Sequence, residues 1–156
     1  MDLNSMKKKT PTTGWFTFDS SGVEIELTYE SPTAMIARLE RCSETRNGRT
    51  VLNQDKMLEE SAALIRSWRG MTLARAAELM DLELPTDADL SAGVPCTKEN
   101  KLALFSESWG FKQWLDQKIV ALSEFVAIER ERKRKNSQTP PSGGSPAASN
   151  AESAAK

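Results

Sequence analysis

The chain has no histidine. That removes the side chain most often used as a general base near neutral pH. It also removes Ser–His–Asp and Cys–His arrangements and every histidine-ligated metal site. Only two cysteines occur, Cys42 and Cys96, and they form no CxxC pair, which excludes a zinc knuckle or a thioredoxin-like motif. A disulfide between them is not expected, because nothing reads as secreted. No apolar run approaches the roughly 18 residues that span a bilayer. Lys7–Lys9 precede a polar, Thr-rich stretch and not an apolar signal region. Charge is balanced, with 21 Lys+Arg against 22 Asp+Glu. Such a balance exerts no long-range pull on nucleic acid or an anionic membrane. No P-loop, GxGxxG or GxSxG occurs. The expectation is a cytoplasmic protein that is not an enzyme, with no cofactor, no metal and no small-molecule substrate.

Acidic pairs could still do acid–base or metal chemistry. Glu24 and Glu26 read as the wet face of a strand, and Glu59 and Glu60 as solvated charge beside a helix stripe. Asp87 and Asp89 sit in a loop without the other ligands of an EF-hand. Cys96 precedes a helix start, where a thiol can be acidified, but no base is available to serve it. The run "ERERKRK", 129–135, reads first as a solvated helix end whose cations suit the C-terminal dipole.

Residues 1–13 are polar and read as a flexible N-terminus. In "GWFTFDSSGVEIELTY", 14–29, Val23, Ile25, Leu27 and Tyr29 alternate with Glu24, Glu26 and Thr28. That is period 2, with turn chemistry at 19–22, and it predicts a hairpin. Ser31 as cap and Pro32 at the first helical position open a helix over 30–48. Its inner face is Met35, Ile36, Leu39 and Cys42, and Asn47-Gly48 stops it. Asn53 opens a second helix over 53–70, with Leu58, Ala62, Ile65 and Trp68 inside. Further helices are predicted over 72–82, 97–108 and 110–135, separated by a loop at 83–96. The last carries Phe111, Trp114, Leu115, Ile119, Leu122, Phe125 and Val126 at helical intervals. From Asn136 onward no aromatic or branched aliphatic residue occurs, so 136–156 reads as a disordered tail. The fold class expected is mainly α: a small N-terminal hairpin packed on about five helices within one domain at 14–135.

The aromatics raise a second question. Trp109, Phe111 and Trp114 are crowded at the start of the last helix. Core is the default for such rings, as it is for Trp15 and Trp68. A domain this shallow can also leave part of them accessible, and clustered aromatic surface is typical of a binding hot spot.

Several short elements resemble the tail assembly chaperones of long-tailed bacteriophages. They are Trp68-Arg69-Gly70, then Pro95-Cys96-Thr97-Lys98-Glu99-Asn100, then Phe111, Trp114, Ser123 and Phe125 on an aromatic-rich helix. "GVEIELTYESPT", 22–33, suits the small β element that leads into that family's first helix. The resemblance covers about residues 15–130. It implies a helical, non-catalytic phage or prophage protein of the host cytoplasm that coats the tape-measure protein before the tail tube assembles. It also implies a longer product, made by ribosomal slippage, that recruits tail tube subunits. Arg134-Lys135-Asn136 can be encoded with the slippery heptamer A AAA AAC. The contact surface expected is Phe105, Trp109, Phe111, Trp114 and Phe125, helped by Trp68. Two other classes compete. One is a small DNA-binding regulator using 72–82 or the basic helix end, although nucleic acid is not the expected partner. The other is a structural virion subunit. Homo-oligomerisation is left open.

Overall fold

The computed structural model describes residues 12–138 and Asp2. Most of the expected flexible N-terminus, 1–13, and most of the expected disordered tail, 139–156, therefore lie outside the described residues, but Thr13 belongs to a strand and the Thr12 carbonyl accepts the Tyr29 N–H. Six helices and five strands are present among the described residues, in two small sheets. The fold is mixed α/β. This corrects the mainly α expectation, and the correction has two sources.

The first is the strand Ile65–Arg69. The hairpin forms as expected from β1 (Thr13–Thr17) and β2 (Glu24–Thr28). β2 is then paired on its other side, because residues 65–69 form a strand and not the end of the second helix. The sheet order is β1, β2, then this third strand, all antiparallel. The register explains the misreading. Glu26 pairs with Ser67 but Leu27 pairs with Ile65, so Arg66 is an extra residue, a bulge. The bulge lets Ile65 and Trp68 both face the core at a spacing of three. In sequence that spacing is indistinguishable from a helix face.

The second source is Asn47-Gly48. The first helix, α1 (Pro32–Cys42), ends before it. A separate hairpin follows, β3 (Ser43–Arg46) and β4 (Arg49–Leu52), with Asn47-Gly48 as its two-residue loop. Both loop residues have positive φ, 51° and 74°, as such loops require. The pair therefore turns a hairpin and does not cap a helix. The strand Ile65–Arg69, fifth along the chain, is β5.

The first four helices begin where they were expected. Ser31, Asn53, Thr72 and Thr97 each accept a backbone N–H three residues on. They open α1, α2 (Gln54–Ala62), α3 (Leu73–Met80) and α4 (Lys98–Glu107). The single helix expected over 110–135 is two: α5 (Trp109–Lys118) and α6 (Leu122–Ser137). At the break the Ile119 carbonyl accepts the Glu30 N–H at 2.8 Å. Neither proline nor glycine marks this point. α6 reaches Ser137, so Asn136 and Ser137 belong to a helix and not to the tail.

One face of the three-stranded sheet is the core. Phe16, Val23, Ile25, Leu27, Ile65 and Trp68 meet Leu104, Phe105, Phe111, Leu115, Ile119 and Phe125 from the helices. Edge-on ring pairs join the layers: Phe16 with Phe125 at 4.7 Å, and Phe18 with Phe111 at 5.3 Å and with Trp114 at 5.1 Å. Gly14 lets α6 approach β1, since a Cβ there would meet Ile128 Cδ1 at 3.1 Å. The other face of the sheet is wetter. There the Arg69 guanidinium lies 4.3 Å from the Trp15 ring and pairs with Glu24 at 2.6 Å.

Candidate functional site

α5 has two faces of different character. Phe111 and Leu115 point into the core and are fully buried. Trp109 lies two residues earlier, roughly 200° around the helix, and points outward. It is 75% exposed, an unusual state for an indole. On its side of α5 follow Lys112 and Asp116, paired at 2.7 Å. The Lys112 ammonium also sits 5.7 Å from the Trp109 ring and 5.5 Å from the Phe105 ring.

Opposite this face stand α1 and α2. Met35 and Arg38 come from α1, and Gln54, Met57, Leu58 and Ser61 from α2 at helical spacing. Between the two walls runs an open groove of about 600 Å³, with Phe105 in its floor and Ile119 and Val120 closing one end. Trp109 marks the other end. The lining is mostly apolar, two of its side chains are methionine, and its charges are already matched. Methionine packs adaptably against varied apolar surfaces.

A buried polar cluster fixes that wall. Arg38 forms a two-pronged ion pair with Glu30, at 2.7 and 2.8 Å, and donates to Ser61 Oγ at 2.6 Å. All three residues are buried. The Glu30 hydrogen bonds raise the Arg38 pKa against the opposing effect of burial. The cluster ties the β2–α1 junction to α2. It was not legible in the sequence, where Ile36 read as inward and nothing singled out Arg38. In fact Ile36 is 58% exposed and Arg38 is buried.

A second cleft, of about 760 Å³, lies between α1, α2 and α4. It is charged, and most of its charges are spent locally. Arg41 pairs with Glu60 at 2.6 Å, Lys98 with Glu59 at 3.3 Å, and Lys101 donates to the Ile65 carbonyl at 3.0 Å. Burial pushes the Cys96 thiol pKa up, which disfavours its thiolate.

The six aromatics expected to form one contact face are divided by the structure. Trp68, Phe105, Phe111 and Phe125 are buried. Trp68 also donates its indole N–H to the Val94 carbonyl at 2.6 Å. Trp114 is half-buried against Phe18. Only Trp109 of the six is exposed. Phe111, Trp114 and Phe125 therefore serve the sheet–helix core and not an open face. Met35 and Leu58, which line the groove, were read as core, and the groove itself was missed. Nothing local distinguishes a groove wall from a core wall.

No known protein family, curated protein or solved structure matches the chain. Among the described residues, no helix is long and apolar enough to cross a membrane.

Proposed function

We propose that this chain is a binding protein that covers an apolar stripe on a helical partner. Within that class, our reading is a tail assembly chaperone of a long-tailed phage or prophage, acting in the host cytoplasm on the tape-measure protein. The observation that carries the reading is the groove beside Trp109. An amphipathic helix seats its apolar face in such a groove through side chains three and four residues apart. The groove's length suits this. From Trp109 to Val120 it follows about three turns of helix, near 16 Å.

A long amphipathic helix awaiting assembly exposes apolar surface and aggregates. A small domain with a methionine-lined, charge-matched groove shields such surface without demanding one particular sequence. An open groove with a single exposed indole also suits a contact that tube subunits later displace.

Co-expression tests the reading. The tape-measure protein of the same phage should be largely insoluble alone and soluble with this chain, and the two should co-purify. An unchanged soluble fraction, with no co-purification, would overturn it.

A further inference from the structure

The hairpin of β3 and β4 stands apart from the three-stranded sheet and shares no ladder with it. A two-stranded hairpin alone is marginal in water. β4 is exposed along its whole length, Val51 at 36% and Leu52 at 49%. Of the usual protections of a free edge it has chiefly its shortness, four residues. It has no proline, no lysine and no bulge, and its one charge, Arg49, sits at its start.

The hydrogen-bond parity of the hairpin decides what this edge can accept. Next to a two-residue loop the closing pair, Arg46–Arg49, is bonded, and bonded pairs then alternate along the ladder. Glu44–Val51 is the next, and Cys42–Asn53 the one after, where the Asn53 N–H donates to the Cys42 carbonyl at 2.8 Å. The peptide groups of Thr50 and Leu52 therefore face outward. On β3 the outward residues are Thr45 and Ser43, but the Ser43 N–H is taken by the Glu40 carbonyl. β4 thus offers two complete pairing positions and β3 one.

We propose that the β4 edges of two copies of this chain pair antiparallel about Val51, giving a four-stranded sheet in the order β3-β4-β4-β3 across a two-fold axis. In that register Thr50 of each copy lies opposite Leu52 of the other, so both outward positions are satisfied. Val51 meets its own counterpart in a non-hydrogen-bonded pair, where side chains approach most closely. Arg49 lies opposite Asn53 of the second copy, so no like charges face each other. The surface is separate from the Trp109 groove and leaves it open.

Sedimentation and an engineered cross-link test the proposal. The unmodified chain should sediment as a dimer at micromolar concentrations. Val51→Lys, which sets like charges against each other at the axis, should weaken self-association roughly tenfold or more. Val51→Cys should give a disulfide-linked dimer under mild oxidation, since the Cα spacing of a non-hydrogen-bonded pair, about 4.5 Å, falls in the disulfide range. Thr50→Cys should not, because residue 50 does not oppose itself. A monomer at all concentrations overturns the proposal. So does a dimer that Val51→Lys leaves intact, or one in which Thr50→Cys links as readily as Val51→Cys. Should Val51→Lys fail to fold, the two cysteine variants decide alone.

Discussion

Truncating Arg38 to alanine would leave the Glu30 carboxylate buried beside an empty space. The cost of an uncompensated buried charge is about 3–5 kcal/mol. Replacing both partners by leucine should cost clearly less, since no charge is then stranded. Urea unfolding of the two single variants and the double variant checks this, with non-additivity as the expected signature. Gly70 makes a second residue-scale prediction. Its φ is 74°, and a Cβ there would lie 2.9 Å from the Gly22 carbonyl oxygen, which is backbone and cannot step aside. Gly70→Ala should therefore lose roughly 2 kcal/mol in the same assay. In the sequence, Gly70 is the last residue of the helix expected over 53–70. The structure needs it for a close backbone crossing at the end of a strand. The Glu30–Arg38 pair was not legible, because a buried arginine and a solvated one look the same until the partner eight residues away is brought alongside.

At the scale of elements, the cap residues carried most of the legible information. A side-chain oxygen accepting an N–H three residues on is a local event, so the starts of α1 to α4 could be read without tertiary structure. What escaped was set by neighbours. β5 pairs with β2 through a bulge, and the bulge imitates helical spacing. The break between α5 and α6 is made by the N–H of Glu30, far off in sequence. The division of α5 into a core face and a groove face gives the element-scale prediction. Phe111→Ala should cost about 3–5 kcal/mol, because the ring is fully buried against Phe18. Trp109→Ala should change stability by no more than about 0.5 kcal/mol, since its ring is largely exposed. Thermal unfolding of the two variants would show the contrast. Equal losses would mean that α5 does not sit as described.

For the whole molecule, the absence of histidine fixes the pH response. Glu24, Glu60 and Glu131 are each held below the ordinary value of 4.5, chiefly by hydrogen bonds from Arg69, Arg41 and Arg134. A carboxylate with a lower pKa when folded adds stability above its unfolded pKa and loses it as pH falls through the folded one. Stability should thus be nearly flat between about pH 6 and 8 and decline below about 4.5, and urea midpoints across that range would check it. The exposed pairs are screened by water and salt, so the acid decline should be gradual. The same molecule-wide view supports the proposed function, for the groove joins four helices that no local pattern relates. The most direct measurement is the soluble fraction of the tape-measure protein co-expressed with the unmodified chain, with Trp109→Ser, or with Leu90→Ser as a control at an exposed apolar residue outside the groove lining. The unmodified chain and the Leu90 variant should keep the partner soluble, while the Trp109 variant, itself folded, should lose most of it. Equal solubility with all three would contradict the groove as the site of action.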